Sequence, residues 1–529
     1  MLRTLRTLWR LIGIARILAR HDALAPLDEL GVAPGVMIFA RRLAPKGVEG
    51  RPGQKLARAL AELGPTFIKL GQFLSTRADL LGEQLAADLS ELQDSLPPFS
   101  SDQARETIVA ELGREVDEVF SHFDDQPVSA ASIAQVHLAV ARGDPAAQAE
   151  DWSGKPLENW AEREVAVKIL RPGVERAFAQ DLELFYTLAE LALRTQPKLA
   201  RFKPLEVVRL FEETVKIEMD LRMEAAAASE LGDNFADDPT YRVPPVNWQL
   251  SSKRILTVGK ADGIRMDNRA ALLEAGHDLE EVLGKAAAIF FKQVFRDGFF
   301  HGDQHPGNMW VDKDGNIVAV DFGIMGRLDR KTRWYLADML LATLDRDYRR
   351  LAEVHVEAGY LPPGASLEVF AQALRSVCEP ISGRPLNEIS FARLLGQLLQ
   401  ITESFDMPVQ PQLLLLQKNM LMAEGISRKL EPSLNIWVLA QPLIEDWMRA
   451  NRGPEARVRE AAREVARTVE RLPQTLANIE RAAAVLAAGE ASLNTGAHQN
   501  PTHKVAPAWA GPVAWVALAL GVLAVVLAL

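Results

Sequence analysis

The chain has 529 residues, 48% hydrophobic and 25% charged, which suits two or three packed units and excludes both wholesale disorder and a small disulfide-stapled scaffold. A net charge of −10 argues against a general nucleic-acid binder, so no nucleic-acid partner is expected. The single cysteine, Cys378, can make neither an internal disulfide nor a cysteine-ligated zinc site, and reads as a small buried hydrophobe in a reducing compartment.

The charge is unevenly spread. Residues 1–60 hold eleven Lys or Arg against four acids, and a basic segment bearing Leu and Trp can lie against anionic lipid. Arginines interrupt it too often for a secretory signal. Through residue 115 the texture is helical: GQKLARALAEL and GEQLAADLSELQDSL space their apolar residues by three to four, with Gly64-Pro65 and Pro97-Pro98 as punctuation. From Glu118 the pieces VFSHF, IAQVHLAV and EVAVKIL fit a small antiparallel sheet, and the polar stretch between the last two reads as a solvent-exposed hairpin connection.

A helix is expected around Pro204–Leu231, then strands near Arg242–Leu250 and Arg254–Val258 and a crossover at Lys260–Gly263. The rest is mostly helical, except for MWV and NIVAVD around Asp312-Lys-Asp-Gly315, an Asp-Gly hairpin signal. Helices dominate from Arg333 to about Ala488, and Gly489–Pro507 is polar enough to act as a tether. Trp509–Leu529 is 21 residues without a charge, which as a helix matches the ~30 Å hydrocarbon layer and predicts a transmembrane span. Lys504, Arg481 and Arg471 precede it and no charge follows, so the positive-inside rule puts residues 1–500 in the cytoplasm.

Three groups of residues carry candidate chemistry. Lys168 ends the strand Glu164-Val-Ala-Val-Lys168, from which an ammonium could reach phosphate oxygens. The next helix carries Glu218-Met-Asp220 and Glu224; in a continuous helix Asp220 and Glu224 share a face and Glu218 is offset. Most specific is His301-Gly-Asp303-Gln-His-Pro-Gly-Asn308, followed thirteen residues after Asn308 by Asp321-Phe-Gly. An aspartate that takes a proton or orients a hydroxyl, an asparagine five residues on and a second aspartate beyond a hairpin are what Mg²⁺-dependent phosphoryl transfer from ATP requires. His301 and His305 lack a third nitrogen or sulfur ligand nearby, so structural roles are expected for them rather than zinc.

Strand lysine, helix glutamate, HxDxxxxN and DFG also occur in the order a protein-kinase-like fold uses. Two kinase features are missing. Pro127–His137 stands in place of the Gly-rich loop and contains no glycine, and no Ala-Pro-Glu segment follows DFG. Alanine permits close approach, but its Cβ restricts the positive φ values with which amides wrap phosphates.

With GPTFIKLGQFLSTRADLL, the Ala-rich SAASIAQVH, Glu218-Met-Asp220, FFHGDQHPGNMWV, VDFGIMGRL, VCEPISGRPLNEISF and VQPQLLLLQKNMLMAEGISR, the chain resembles the UbiB family, atypical kinase-like proteins of ubiquinone biosynthesis. The resemblance spans about residues 60–450. It implies an α+β, protein-kinase-like bilobal fold with a helical N-terminal KxGQ extension, joined to the C-terminal transmembrane helix expected above. The units are then 1–115 (basic N-terminus and KxGQ extension), 116–262 (N-lobe), 263–450 (C-lobe), 451–488 (helical extension), 489–508 (tether) and 509–529 (membrane helix).

It further implies ATP and Mg²⁺ as cofactors. Lys168 would contact phosphates and pair with Glu224, Asp303 would be catalytic, and Asn308 and Asp321 would hold metal. The loop Val128, Ser129, Ala130, Ala131, Ser132, Ile133, Ala134, Gln135 and Val136 would cover the nucleotide. Lys69 and Gln72, on one helix face near Glu218 and Asp220, would be regulatory and occupy the place where a protein substrate docks. The expected function is a membrane-anchored ATP-dependent kinase or ATPase of ubiquinone biosynthesis at the cytoplasmic face of the bacterial inner membrane. Its expected partners are membrane lipid and ubiquinone-pathway enzymes or intermediates; a homodimer is compatible with this. Two alternatives are a small-molecule phosphotransferase of the aminoglycoside or choline kinase type, since HGDxxxxN occurs there too, and a pseudokinase scaffold.

Overall fold

The computed structural model describes residues 10, 13–23, 49–75, 85, 88, 89, 92, 96–143, 160–195, 203–381, 390–434 without 406, 408 and 409, and 447. All lie in the first of two compact units, 1–448. The expected helical extension 451–488, tether and membrane helix 509–529 lie outside the described residues. Among the described residues no helix is long and apolar enough to cross a membrane.

Helices α1 (Pro52–Leu63) and α2 (Pro65–Ser75) meet at Gly64, which adopts φ 106°. Proline then opens α2, where its missing amide and fixed φ cost nothing. Helix α3 (Ser101–Leu112) starts where the Ser100 hydroxyl accepts from the Gln103 amide and stops at Gly113 in the left-handed region. A single turn, α4 (Val116–Val119), leads into β1 (Phe120–Phe123), β2 (Ser129–Ala130), β3 (Ala134–Ala141) and β4 (Arg163–Leu170).

Strands β3 and β4 pair antiparallel from Ala134↔Leu170 to Ala141↔Arg163, as a long hairpin. Two-residue alternation along β4 sends Val165, Val167 and Ile169 into a core with Ala104 and Ile108 of α3, and so turns Lys168 to the opposite face. Helix α3 therefore belongs to the core beneath this sheet.

Three helices follow: α5 (Val174–Thr195), α6 (Pro204–Glu218) and α7 (Leu221–Asn234). Sequence reading expected one helix over Pro204–Leu231; the chain instead breaks at Met219, and Asp220 caps α7 by accepting from the Arg222 amide at 3.2 Å. Glu218, Asp220 and Glu224 therefore sit on two helices and the joint between them. Phe67 and Ile68 of α2 share one core with Phe178 and Phe185 of α5 and Phe211 of α6, and that core also takes Ile133, Ala134 and Leu170 of the sheet. Phe67 meets Phe185 edge-on at 5.3 Å. The N-terminal extension is thus fused to the sheet lobe through apolar packing.

Beyond α7 come β5 (Tyr241–Arg242), β6 (Ile255–Gly259) and β7 (Ile264–Arg265). The strand expected over Arg242–Leu250 is confined to β5. Pro244 and Pro245 offer no amides to a ladder, and the Asn247 side chain accepts from the Gln249 and Leu250 amides to nucleate a 3₁₀ turn at Trp248–Leu250. Only β6 joins the first sheet, whose order is β1-β3-β4-β6 with β2 flanking β3.

The second lobe holds α8 (Arg269–Glu274) and α9 (Leu279–Phe291), the latter widening into a π-helical turn at Lys292–Asp297. Strands β8 (Phe299–His301), β9 (Met309–Val311), β10 (Ile317–Ala319) and β11 (Met325–Arg327) follow. β9 and β10 form the hairpin expected from Asp-Gly, with Gly315 at φ 73° and Asp312 Oδ1 accepting from the Asp314 and Asn316 amides. β5-β10-β9-β7 make a small sheet, and β8 pairs with β11. Helices α10 (Arg330–Leu344), α11 (Tyr348–Glu357), α12 (Leu367–Cys378), α13 (Phe391–Ser404) and α14 (Pro411–Leu430) complete the lobe. Cys378 is free and buried in their core.

Replacing Phe67 by Ala should cost about 3–5 kcal/mol and leave a single cooperative transition in denaturant. An α2 that is a detachable module would instead melt separately and leave the main transition in place.

Candidate active site

The site is assembled where β4, α7 and the segment after β10 converge. Lys168 Nζ lies 2.8 and 2.9 Å from the two carboxylate oxygens of Glu224 and 3.2 Å from Asp321 Oδ1. Burial disfavours the ammonium, but Asp321 and Glu224 together outweigh it and push Lys168 up from its ordinary value. Glu224 is itself pushed up by burial, against the pull of Lys168. Asp321 keeps 51% of its side chain open to the cleft. Chiefly the charge of Lys168 holds its carboxyl down at about 2, against burial and with help from Lys69 and the Gly323 amide.

Asp321 takes a left-handed backbone, φ 62°, a conformation uncommon outside glycine and, among other residues, most accessible to Asn and Asp. At Gly323 of the DFG triplet a Cβ would crowd Asp321 Oδ1 at 3.3 Å and stand in ordinary contact with Glu224 Oε2 at 3.9 Å.

The loop His301–Asn308 is held by its own polar groups. Buried His301 accepts the Asp303 amide on Nδ1 (3.1 Å) while Nε2 faces the Val320 carbonyl (3.3 Å). Burial lowers its pKa, so the neutral ring bridges the loop to the strand end before Asp321. His305 Nδ1 accepts the Gly307 amide. Asn308 donates its side-chain NH₂ to the Asp303 carbonyl at 3.1 Å, and its own carbonyl accepts from the Val320 amide. That commits the nitrogen and turns Oδ1 to the side from which a cation could be met. A carboxylate and an amide oxygen are hard donors that suit Mg²⁺, so the side chains fit that ion.

No residue of 128–136 is among the described non-glycine residues with positive φ, as expected of an alanine-rich loop. Arg171 donates to the carbonyls of Ala131, Ser132 and Pro97, pinning the turn. The Gln135 side chain is buried and engages both backbone groups of Phe99 and the ring of His137, so it faces away from a nucleotide. Ile133 and Ala134 are likewise buried in the core, and Val128 is exposed. Of the nine expected covering residues, Ser129 and Ala130 form β2, Ala131–Ile133 make the turn and Ala134–Val136 begin β3.

Lys69 on α2 pairs with Glu218 at 3.0 Å with both side chains mostly buried, and its charge reaches Asp321. Gln72 is half-buried one turn on. Asp220 is paired with Arg222 at 2.6 Å.

Sequence reasoning missed three residues. Arg171 was one; the others sit in α14, where Lys418 Nζ lies 2.8 Å from Asp303 Oδ1 and Asn419 bonds the backbone of His301 and Gln304. Both lie within VQPQLLLLQKNMLMAEGISR, a motif already singled out, but no spacing rule ties it to a loop 115 residues earlier.

The ABC1 atypical kinase-like domain matches residues 91–148 and 157–355, and the UbiB helical domain matches residues 374–435. A probable protein kinase UbiB of Marinobacter nauticus is 41% identical over 477 residues, 88% of this chain and 83% of that one. One of Xylella fastidiosa is 38% identical over 480 residues, 89% and 84% of the two chains. The solved complex of Rv3197 with erythromycin from Mycobacterium tuberculosis matches at 25% identity and TM-score 0.44, over 71% of this chain and 94% of that one.

Lys168→Met strands a buried glutamate and should cost about 3–5 kcal/mol. Adding Glu224→Leu should recover all but about 1 kcal/mol, because half-open Asp321 is solvated in either variant. Thermal unfolding of both proteins measures this, and an unrecovered double variant would contradict the pairing.

Proposed function

We infer the function of this chain from the fact that it belongs to the UbiB family of ABC1 atypical kinase-like proteins. It is an ATP-dependent kinase or ATPase supporting ubiquinone biosynthesis, tethered at the cytoplasmic face of the bacterial inner membrane by the apolar segment 509–529. The observation that carries the phosphoryl-transfer reading is the meeting of Lys168, Glu224 and Asp321 within 3.2 Å. A strand lysine held by a buried glutamate and facing a half-open aspartate is an arrangement that polyphosphate with a divalent ion would suit.

Glu224 orients the Lys168 ammonium toward phosphate oxygens. Asp321 and Asn308 Oδ1 would hold Mg²⁺, which supplies charge neutralisation across the phosphates when bound. Asp303 accepts the proton of the attacking hydroxyl or water. Pinned by Arg171, the loop 129–132 shields the nucleotide as a fixed edge. Lys69 and Glu218 set α2 beside the cleft, which favours regulated access over an open small-molecule acceptor site. A scaffold alone would have no use for an Asp303 held by His301, Asn308 and Lys418.

The reading is tested in cells lacking the protein: loss of ubiquinone with accumulation of an early prenylated phenol supports it, and unchanged quinone overturns it. Asp303→Asn should leave ATP affinity nearly unchanged, lower ATP turnover by at least about a hundredfold and fail to restore ubiquinone. Asp321→Asn should weaken nucleotide binding more with Mg²⁺ than without it, as titrations in both conditions would measure. A truncation from about Val505 onward should leave the membrane pellet at high salt and still bind nucleotide.

A further inference from the structure

We propose that Lys418, carried by the UbiB helical domain rather than by the kinase-like domain, is a positioning residue for phosphoryl transfer that acts through Asp303. This rests on the reading of Asp303 as the proton acceptor and deepens it. The loop HGDQHPGN contains no Lys or Arg. Its histidines are turned to backbone, His301 to the Asp303 amide and the Val320 carbonyl, His305 to the Gly307 amide. The loop thus has no cation of its own to set against Asp303. A carboxylate facing a polyphosphate is repelled by it and turns away unless an opposite charge holds its rotamer.

Helix α14 supplies that charge with Lys418 Nζ 2.8 Å from Asp303 Oδ1. Side chains of both are about one-third exposed, 32% and 29%, so the pair is neither freely solvated nor sealed from a substrate.

The placement is held on both sides. Asn419, fully buried, donates to the His301 carbonyl and accepts from the Gln304 amide, which brackets Asp303 along the chain. Leu416, one turn before, packs in a core with Phe290, Val294, Phe300 and Leu328, so α14 cannot slide along β8. The helical domain therefore completes the site: without α14 the loop would lose two of its backbone anchors and its only paired cation among the described residues.

The experiment uses the full-length chain and measures ATP turnover and ATP affinity separately. Lys418→Met removes the charge and little packing. It should lower kcat by about 10–100-fold and leave ATP affinity within about twofold, with an unchanged melting temperature. Lys418→Arg should restore most of the loss. In the Asp303→Asn background, Lys418→Met should slow turnover no further, since a residue acting through Asp303 has nothing left to act on.

An equal further slowing in that background overturns the proposal, as does a parallel loss of ATP affinity, which would mean that Lys418 binds the nucleotide directly. Full activity of Lys418→Met with Asp303→Asn inactive overturns this inference alone. Normal turnover in Asp303→Asn, or none in the wild-type chain, overturns the reading beneath it.

Discussion

A carboxylate taken out of water must find a cation or a proton, and in this chain Glu224 finds Lys168. The cost of separating that pair, several kcal/mol in a largely dry setting, ties the central strand β4 to helix α7. Much else follows. Lys168 is also in reach of Asp321, so the sheet lobe and the helical lobe are joined through charge at the cleft. The core shared by α2, α5 and α6 then surrounds this point from one side, and the catalytic loop from the other.

The chemistry was more legible in the sequence than the architecture. Asp303, Asn308 and Asp321 stood out because phosphoryl transfer demands oxygen ligands at restricted spacings, and the Asp-Gly step located the β9–β10 hairpin because few turns accept those residues. Lys168 does not end its strand, as its segment suggested, because β4 runs on to Leu170; it faces the cleft by alternation against Val167 and Ile169. Less was readable where tertiary context decides. Helix α5 went unnoticed although Phe178, Leu182, Phe185 and Ala189 recur at helical spacing and are buried. The break at Met219 was hidden because Glu218-Met-Asp220 is compatible with a continuous helix, and only the capping of α7 by Asp220 ends it. Partners far apart in sequence, such as Arg171 with the Ala-rich turn, leave no local signal.

The KxGQ extension and the UbiB helical domain reach the same cleft from the two ends of the kinase-like domain. Lys69 enters through α2 and adds its field to that of Lys168 at Asp321; α14 enters behind the catalytic loop. A kinase-like core usually carries its positioning charges in its own loops. Here charges on the flanking helices, Lys69 and Lys418, reach Asp321 and Asp303 as well.

The left-handed backbone of Asp321 bears on how the protein could change over generations. Glycine would occupy that conformation with less strain but would give up the ion pair with Lys168 that joins the two lobes. Backbone strain and the charge that ties the lobes therefore pull in opposite directions at this one residue. Any replacement at 321 is thus read twice by the fold, once as relief of the backbone and once as a charge left unbalanced on Lys168.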